Sequence, residues 1–248
     1  MAGAAGLAKS QTVHKDGVRI SHWEGKMAEL FLLIGNKKYS SWSLRPWLAL
    51  KHCGLDFEEQ LVALDQPDTA AKIGAYSPSG RVPFLRHGSV EVWESLAILE
   101  YLAEAFPAAK LWPEDRAARA YARAVSNEMH GGFAELRYTL PMDVSRDHRD
   151  QNRAAKVQGQ VDRIEGIWTD CRKRHGGAGS FLFGRFSVAD CMFAPVVTRF
   201  HTYGVKLAPA ATDYVATIMN LPAMQDWIAA AKREPWVIEY PVWKEPLA

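Results

Sequence analysis

The pattern of apolar and polar positions changes a little before the middle of the chain. From residue 30 to residue 106, short apolar runs of strand length alternate with longer helical stretches. Leu30-Phe31-Leu32-Leu33-Ile34 is continuously apolar, which is typical of a strand buried on both faces. A helix is predicted over residues 42–53 and a second strand over residues 57–64. A helical crossover between two strands implies that they pair in parallel.

The stretch from residue 81 to residue 104 predicts a hairpin that leads into an unusually apolar helix. Val82-Pro83-Phe84-Leu85 and Val90-Glu91-Val92 read as strands around a short polar turn, so they should pair antiparallel. The helix that begins near Ser95 is apolar almost all round, which favours burial on two sides. A serine at a helix start offers its hydroxyl and free N–H groups to an anion, although a simple cap is its commoner role.

After the proline-bounded segment 107–113, strand signals give way to helical spacing. Met129, Phe133, Leu136 and Leu140 follow one helical face, and a capping box begins at Ser187. The predicted fold class is therefore an α/β domain followed by an all-α domain. The predicted division of the chain is an extension, an α/β domain, a linker and a helical domain: residues 1–27, 28–106, 107–114 and 115–248.

Composition and charge narrow the range of functions. The 248 residues are 48% hydrophobic and 23% charged, with a net charge of +2 and no clustered basic face, so neither nucleic acid nor a membrane is expected as a partner. Three separated cysteines argue against a disulfide framework and favour the cytoplasm. The histidines show no metal-ligand spacing, so no metal is expected. The first 26 residues lack the apolar core of a secretory signal and are expected to be disordered, although their basic excess leaves a mitochondrial presequence open.

Four separated motifs together resemble the soluble glutathione transferases, in particular the serine-type zeta and theta-like classes. They are Ser40-Ser41-Trp42-Ser43-Leu44-Arg45, Val82-Pro83, Glu94-Ser95 and Ser187-Val188-Ala189-Asp190. The resemblance implies a thioredoxin-like domain followed by a helical domain. It also implies a cytosolic homodimer that uses glutathione as co-substrate and a small electrophile as partner.

The resemblance places the reactive sulfur of glutathione near the serine turn. A free thiol has a pKa of about 8.5, and a donated hydroxyl together with a positive helix end would favour the thiolate. Ser40 is the first candidate for this donor, Ser41 the second and Tyr39 the third. The competing interpretation is that all three are ordinary turn residues.

The remaining glutathione contacts also follow from the motifs. Ser95 and the start of its helix would hold the γ-glutamyl carboxylate, and Glu94 would accept from the ammonium group. Val82, before a cis Pro83, would pair its backbone with the cysteinyl unit. Arg81 is a candidate for the glycyl carboxylate, with a solvated surface arginine as the equal alternative.

An apolar electrophile is expected against the helical half of the chain. The candidate pocket residues are Trp42, Met129, Phe133, Arg137 and Tyr138, although most apolar residues at that spacing belong to a core. Trp42 stands where the zeta class has cysteine, so chemistry through a protein thiol is not expected. The predicted activity is conjugation of glutathione; isomerase or peroxidase activity and a non-catalytic binding or regulatory role stay open as alternatives.

Overall fold

A four-stranded mixed sheet forms the first layer of the computed structural model, which describes residues 29–245. The strands are β1 (Leu30–Ile34), β2 (Glu58–Leu61), β3 (Phe84–His87) and β4 (Val90–Trp93), in the order β2-β1-β3-β4. β1 pairs in parallel with β2, and β3 pairs antiparallel with both β1 and β4, which confirms the predicted crossover and hairpin. The expected extension, residues 1–27, lies outside the described residues.

The second strand is shorter than predicted. It was expected over residues 57–64, but it ends at Leu61, the residue that pairs with Ile34 at the end of β1. Beyond this pair β1 itself stops, so the later residues have no neighbouring strand to continue the ladder.

Three helices accompany the sheet: α1 (Ser41–His52), α2 (Thr69–Gly74) and α3 (Ser95–Ala105). α1 is buried without interruption from Ser43 to Leu50, because it contacts α7 (Val188–Tyr203) of the helical half as well as β1 and α3. α3 contacts strands β3 and β4 and also helices α4 (Arg116–Gly131) and α7, in agreement with the predicted burial on two sides. The starts of α1 and α3 are therefore held at the junction of the two halves.

The helical half contains six α-helices among the described residues. They are α4 (Arg116–Gly131), α5 (Ala134–Thr139), α6 (Gln158–His175), α7 (Val188–Tyr203), α8 (Pro209–Met219) and α9 (Pro222–Lys232). α7 is the central helix, and its buried Asp190 accepts hydrogen bonds from the backbone and hydroxyl of Ser187 (2.9 and 2.8 Å) and from the hydroxyl of Tyr214 (3.0 Å). None of the described helices is both long enough and apolar enough to cross a bilayer.

The prediction that Met129 to Leu140 lie on one face of a single helix is wrong. The helix ends at Gly131, and Phe133 adopts a positive φ of 58° before α5 begins. A Cβ at Gly132 would lie 2.6 Å from the carbonyl oxygen of Glu128, so this position needs glycine. The break turns the chain sharply between α4 and α5, which brings Arg137 back toward the end of α4.

Candidate functional site

The start of α1 carries two neighbouring serines that play different structural parts. Ser40 is the N-cap: its Oγ accepts from the Ser43 N–H (3.3 Å) and donates to the Ser43 Oγ (2.8 Å). The Ser43 Oγ in turn accepts from the Gly35 N–H (3.1 Å). The Ser40 hydroxyl is thus directed into the protein, where it fixes the first turn of the helix.

Ser41, by contrast, has an unengaged hydroxyl. It is the first residue of α1, it is 8% exposed, and its side chain makes no hydrogen bond with any residue between 29 and 245. The following N–H, of Trp42, also lacks an acceptor in that range. An unpaired hydroxyl and an unpaired N–H at a helix N-terminus are groups that stabilise a nearby anion.

Tyr39, the third predicted donor, belongs to a different contact. Its side chain is 6% exposed and packs edge-on against Tyr240 with ring centroids 6.1 Å apart. Burial raises the pKa of the Tyr39 hydroxyl. Tyr39 therefore joins the turn to the C-terminal segment of the chain.

The residues before β3 leave an open stretch of backbone. The Val82–Pro83 bond is cis. β3 starts only at Phe84, and the N–H and C=O of Val82 pair with no described residue. Arg81 is exposed, and its side chain forms no ion pair with the described carboxylates. The structure thus leaves the Val82 backbone free to pair, as the sequence motif requires.

Glu94 and Ser95 stand at the start of α3 in contrasting surroundings. Glu94 has a positive φ of 68°, and its carboxylate lies 3.8 Å from the Nε2 of His130. Ser95 is fully buried, and its Oγ accepts from the Arg45 guanidinium at 3.2 Å. Non-glycine residues at positive φ concentrate at functional sites, because surrounding structure must hold them there.

Arg45 is a buried cation without a described counter-ion. It is 2% exposed, its Nε has no hydrogen-bond partner, and it lies over the Trp42 ring at 4.5 Å. Burial, reinforced by the charges of Arg199 and Arg137, lowers its pKa to about 9. A buried charge of this kind is costly unless an anion compensates it.

Two further arginines extend this positive region, and a histidine packs beside it. Arg137 lies over the Trp42 ring at 5.3 Å and donates to the carbonyls of Met129 and His130 (3.3 and 3.2 Å) at the end of α4. Arg199 is 5% exposed and donates to the carbonyls of Leu140 and Pro195, and burial lowers its pKa to about 10. Neither arginine forms an ion pair with any carboxylate in the described part of the chain.

His130 packs edge-on against Trp42, with ring centroids 5.3 Å apart. Burial lowers its pKa, and the charge of Arg45 adds to this effect while that of Glu94 opposes it. The imidazole is therefore neutral at pH 7. Trp42, Arg45, His130, Arg137 and Arg199 are called the cationic cluster below.

The predicted pocket residues thus separate into two groups. Trp42 and Arg137 meet in the cationic cluster. Met129 is fully buried in the hydrophobic core and Phe133 is 9% exposed, whereas Tyr138 is 56% exposed and donates to Glu245. Met129 and Phe133 therefore serve mainly as core, and the predicted residues that remain next to Ser41 are Trp42 and the Arg137 stacked on its ring.

The three cysteines are unsuited to act as nucleophiles, because their thiols are protonated. Burial raises the pKa of Cys53 to about 11 and that of Cys171 to about 12, and it also raises the pKa of Cys191. All three are protonated at neutral pH, and a thiol rather than a thiolate is a poor nucleophile. Among the described residues, no group of side chains could hold a metal ion.

Sequence reasoning did not assign Arg45 or His130 to the site. Arg45 stands alone as a charge in an otherwise apolar helical stretch, and such a residue needs a partner or a ligand when it is buried. His130 comes from a helix about 90 residues after the serine turn, and its position follows only from the contact between the two halves.

Comparisons with known proteins give two family matches within this chain. The sequence profile "Glutathione S-transferase, N-terminal domain" matches residues 39–105, and "Glutathione S-transferase, C-terminal domain" matches residues 146–245. The chain belongs to the glutathione S-transferase family. The two matches include the serine turn, the start of α3 and the central helix α7.

Relatives of this glutathione S-transferase family member include proteins named as isomerases and proteins named as transferases. A "Probable maleylacetoacetate isomerase" of Caenorhabditis elegans is 30% identical over 74% of this chain and 85% of its own length. "Glutathione S-transferase 1" of Dianthus caryophyllus is 39% identical over 68% of this chain and 76% of its own length. A sphingomonad glutathione S-transferase solved in complex with glutathione is 25% identical, has a TM-score of 0.60, and covers 82% of this chain and 100% of that one.

Proposed function

We propose that the protein binds glutathione across the starts of α1 and α3 and transfers its thiolate to an electrophile that carries an anionic group. The observation that carries this proposal is the cationic cluster, in which Arg45 and Arg137 lie over the ring of Trp42, the residue that follows Ser41 in α1. Three arginines without described counter-ions lie there at the junction of the two halves.

The proposed position of glutathione uses groups that the fold leaves unpaired. The γ-glutamyl carboxylate suits the N-terminus of α3, where the positive end of the helix and the Arg45–Ser95 pair favour an anion. The exposed carboxylate of Glu94 suits the ammonium group. The free backbone of Val82 suits the cysteinyl unit, as a strand edge suits an added strand.

This position points the sulfur at the start of α1. There the Ser41 hydroxyl and the Trp42 N–H would donate to the thiolate, and the positive end of the helix would stabilise it further. Each unit by which the thiol pKa falls corresponds to about 1.4 kcal/mol of stabilisation of the thiolate. No step of this chemistry uses a protein thiol, since all three cysteines stay protonated.

The second substrate should be anionic rather than purely apolar. The guanidinium of Arg137, stacked on Trp42, has nitrogen donors beyond the one that binds the end of α4, and it is only half-buried. Arginine binds a carboxylate through paired N–H groups, and such charge-assisted bonds are strong. An electrophile with a carboxylate could therefore be oriented by Arg137 while the thiolate attacks it.

Isomerisation is the second candidate, and the same cluster favours it. In this reaction the thiolate would add to a double bond of an unsaturated acid and leave again after rotation, so glutathione would not be consumed. The names of the isomerase relatives suggest this chemistry. A homodimer and a cytoplasmic location remain predictions from the family resemblance.

The test combines binding with turnover. We expect the protein to be retained on immobilised glutathione and to conjugate glutathione to 4-chloro-3-nitrobenzoate faster than to the methyl ester of this acid. Measuring glutathione consumption alongside the isomerisation of a cis-unsaturated diacid separates conjugation from isomerisation. A protein that is not retained and turns over neither type of substrate would instead be a non-catalytic member of the family.

Replacing Arg137 by glutamine should lower kcat/KM for the benzoate about tenfold, because one charge-assisted hydrogen bond to the carboxylate is lost. The same change should leave kcat/KM for the methyl ester nearly unaltered. Arg163→Gln is the matched control, since Arg163 is exposed and pairs with Glu128 on the outside of the helical half. An equal loss on both electrophiles in Arg137→Gln would contradict the proposed carboxylate contact.

A further inference from the structure

The turn that leads into the serines at the start of α1 is bound by residues near the C-terminal end of the described chain. This turn, residues 37–40, joins β1 to α1. The carboxylate of Glu234 accepts from the Lys37 N–H at 2.7 Å and from the Lys38 N–H at 3.1 Å. Two successive backbone N–H groups that face one anion form a nest, and here a side chain of the protein itself occupies it.

The carbonyl groups of the same turn are also bound by the helical half. The Lys37 carbonyl accepts from the Trp227 indole N–H at 2.8 Å, and the Lys38 carbonyl accepts from the Val144 N–H at 3.3 Å. The backbone N–H and C=O groups of Lys37 and Lys38 therefore all bind residues more than 100 positions away. Buried backbone groups that lose such partners pay the cost of desolvation.

The lysine side chains of the turn strengthen the arrangement without competing for Glu234. The Lys38 ammonium donates to the carbonyls of Glu234 (2.7 Å) and Trp236 (3.3 Å), just after α9. The Lys37 ammonium pairs instead with Glu59 of β2 at 2.6 Å. The carboxylate of Glu234 is thus reserved for the two backbone N–H groups.

We infer that Glu234 is a positioning residue for thiolate activation. Its carboxylate fixes the peptide units that lead directly into the Ser40 cap, and thereby sets the direction of the first N–H groups of α1 and of the Ser41 hydroxyl. This inference rests on the proposed function, because it assumes that a thiolate is bound at the start of α1. It makes the glutathione site dependent on the segment after α9, although the sequence motifs of that site all lie before residue 96.

Glu234→Gln is the sharpest test, because it preserves the size of the side chain and replaces one acceptor oxygen by an NH2 group. That NH2 group would face a backbone N–H that it cannot accept from, so the turn has to shift. A small displacement of catalytic groups is costly in rate. We expect kcat/KM to fall about tenfold and the apparent pKa of bound glutathione, read from thiolate absorbance, to rise. The KM for glutathione should change less, since Val82 and Ser95 are untouched.

Glu239→Gln is the matched control. Glu239 lies five residues further along the same segment, and its exposed carboxylate pairs with Arg146 rather than with the turn. We expect this variant to keep the wild-type rate and thiol pKa. Glu234→Asp, which retains the charge but shortens the reach, should give an intermediate loss, and it carries the test if Glu234→Gln does not fold.

Three results would count against the inference in different ways. If Glu234→Gln matches Glu239→Gln in rate and in thiol pKa, Glu234 does not position the site. If Glu234→Gln only lowers the melting temperature while the thiol pKa stays constant, its role is purely structural and the inference is overturned. If the wild-type protein neither binds nor uses glutathione, the proposed function fails and the inference falls with it.

Discussion

Replacing Ser41 by alanine is expected to lower kcat/KM for glutathione conjugation about 100-fold, the effect typical of removing one donor from a developing or bound anion. The Ser41 hydroxyl has no hydrogen-bond partner among residues 29–245, and it stands at the positive end of α1. Without it, the apparent pKa of bound glutathione should rise toward the value of about 8.5 for a free thiol. The pH dependence of kcat/KM, together with the absorbance of the bound thiolate, measures this shift.

The neighbouring Ser40→Ala variant should behave differently. Its hydroxyl caps α1 through Ser43, so its removal should cost about 1 kcal/mol of stability. Some activity should also be lost, because the first turn of α1 carries the proposed thiolate donors. The apparent thiol pKa should nevertheless move less than in Ser41→Ala.

Ser89→Ala is the control for both variants, since Ser89 lies in the exposed turn between β3 and β4. The opposite result, in which Ser40→Ala abolishes thiolate formation while Ser41→Ala retains it, would contradict the assignment. It would mean that glutathione binding turns the Ser40 hydroxyl away from Ser43 and toward the sulfur.

The sequence motif alone ranks Ser40 before Ser41, and the proposal reverses that order because the Ser40 hydroxyl is already hydrogen-bonded to Ser43. A motif identifies which turn is used, because the residue types and their spacing are local. It does not reveal which hydroxyl is already engaged, since that depends on the rotamers of Ser40 and Ser43 and on the Gly35 N–H that anchors them.

The elements around the site could be predicted because their signals are local. The apolar run of β1, the hairpin of β3 and β4, and the apolar girth of α3 each follow from fewer than a dozen consecutive residues. The break between α4 and α5 could not be predicted from periodicity. There the apolar spacing continues through Phe133, but the helix ends at Gly132. The backbone conformation at Gly132 leaves no room for a Cβ, and Phe133 has a positive φ.

The charged part of the site could not be predicted either, because it depends on contacts between residues that are far apart in the sequence. Arg45 was visible as an isolated charge, but its meaning depends on Arg137 and Arg199, which reach it from α5 and α7. Glu234 shows the same limit, because its partners precede it by almost 200 residues. Long-range charge placement changes the expected electrophile from an apolar to an anionic one, which no local pattern could have indicated.

Arg45→Met is expected to weaken glutathione binding about 30-fold, or about 2 kcal/mol, while leaving the protein at least as stable as the wild type. The two effects have one cause. The Arg45 charge is buried, its Nε is unpaired, and Arg137 and Arg199 repel it, so the ligand-free protein gains little from it. A bound γ-glutamyl carboxylate near Ser95 would supply the missing anion. Calorimetric titration with glutathione and thermal unfolding measure the two effects separately.

Arg123→Met is the matched control, because Arg123 also lies over a tryptophan, Trp112 at 5.4 Å, and also loses its charge, but at an exposed position paired with Glu100. It should alter neither glutathione affinity nor stability by more than about 0.5 kcal/mol. If the Arg45→Met variant is less stable but still binds glutathione normally below its melting temperature, Arg45 contributes to stability and not to binding. A stable variant with weakened binding would show instead that Arg45 serves to bind glutathione. The ligand-free protein then carries an unpaired buried charge that does not contribute to its own stability.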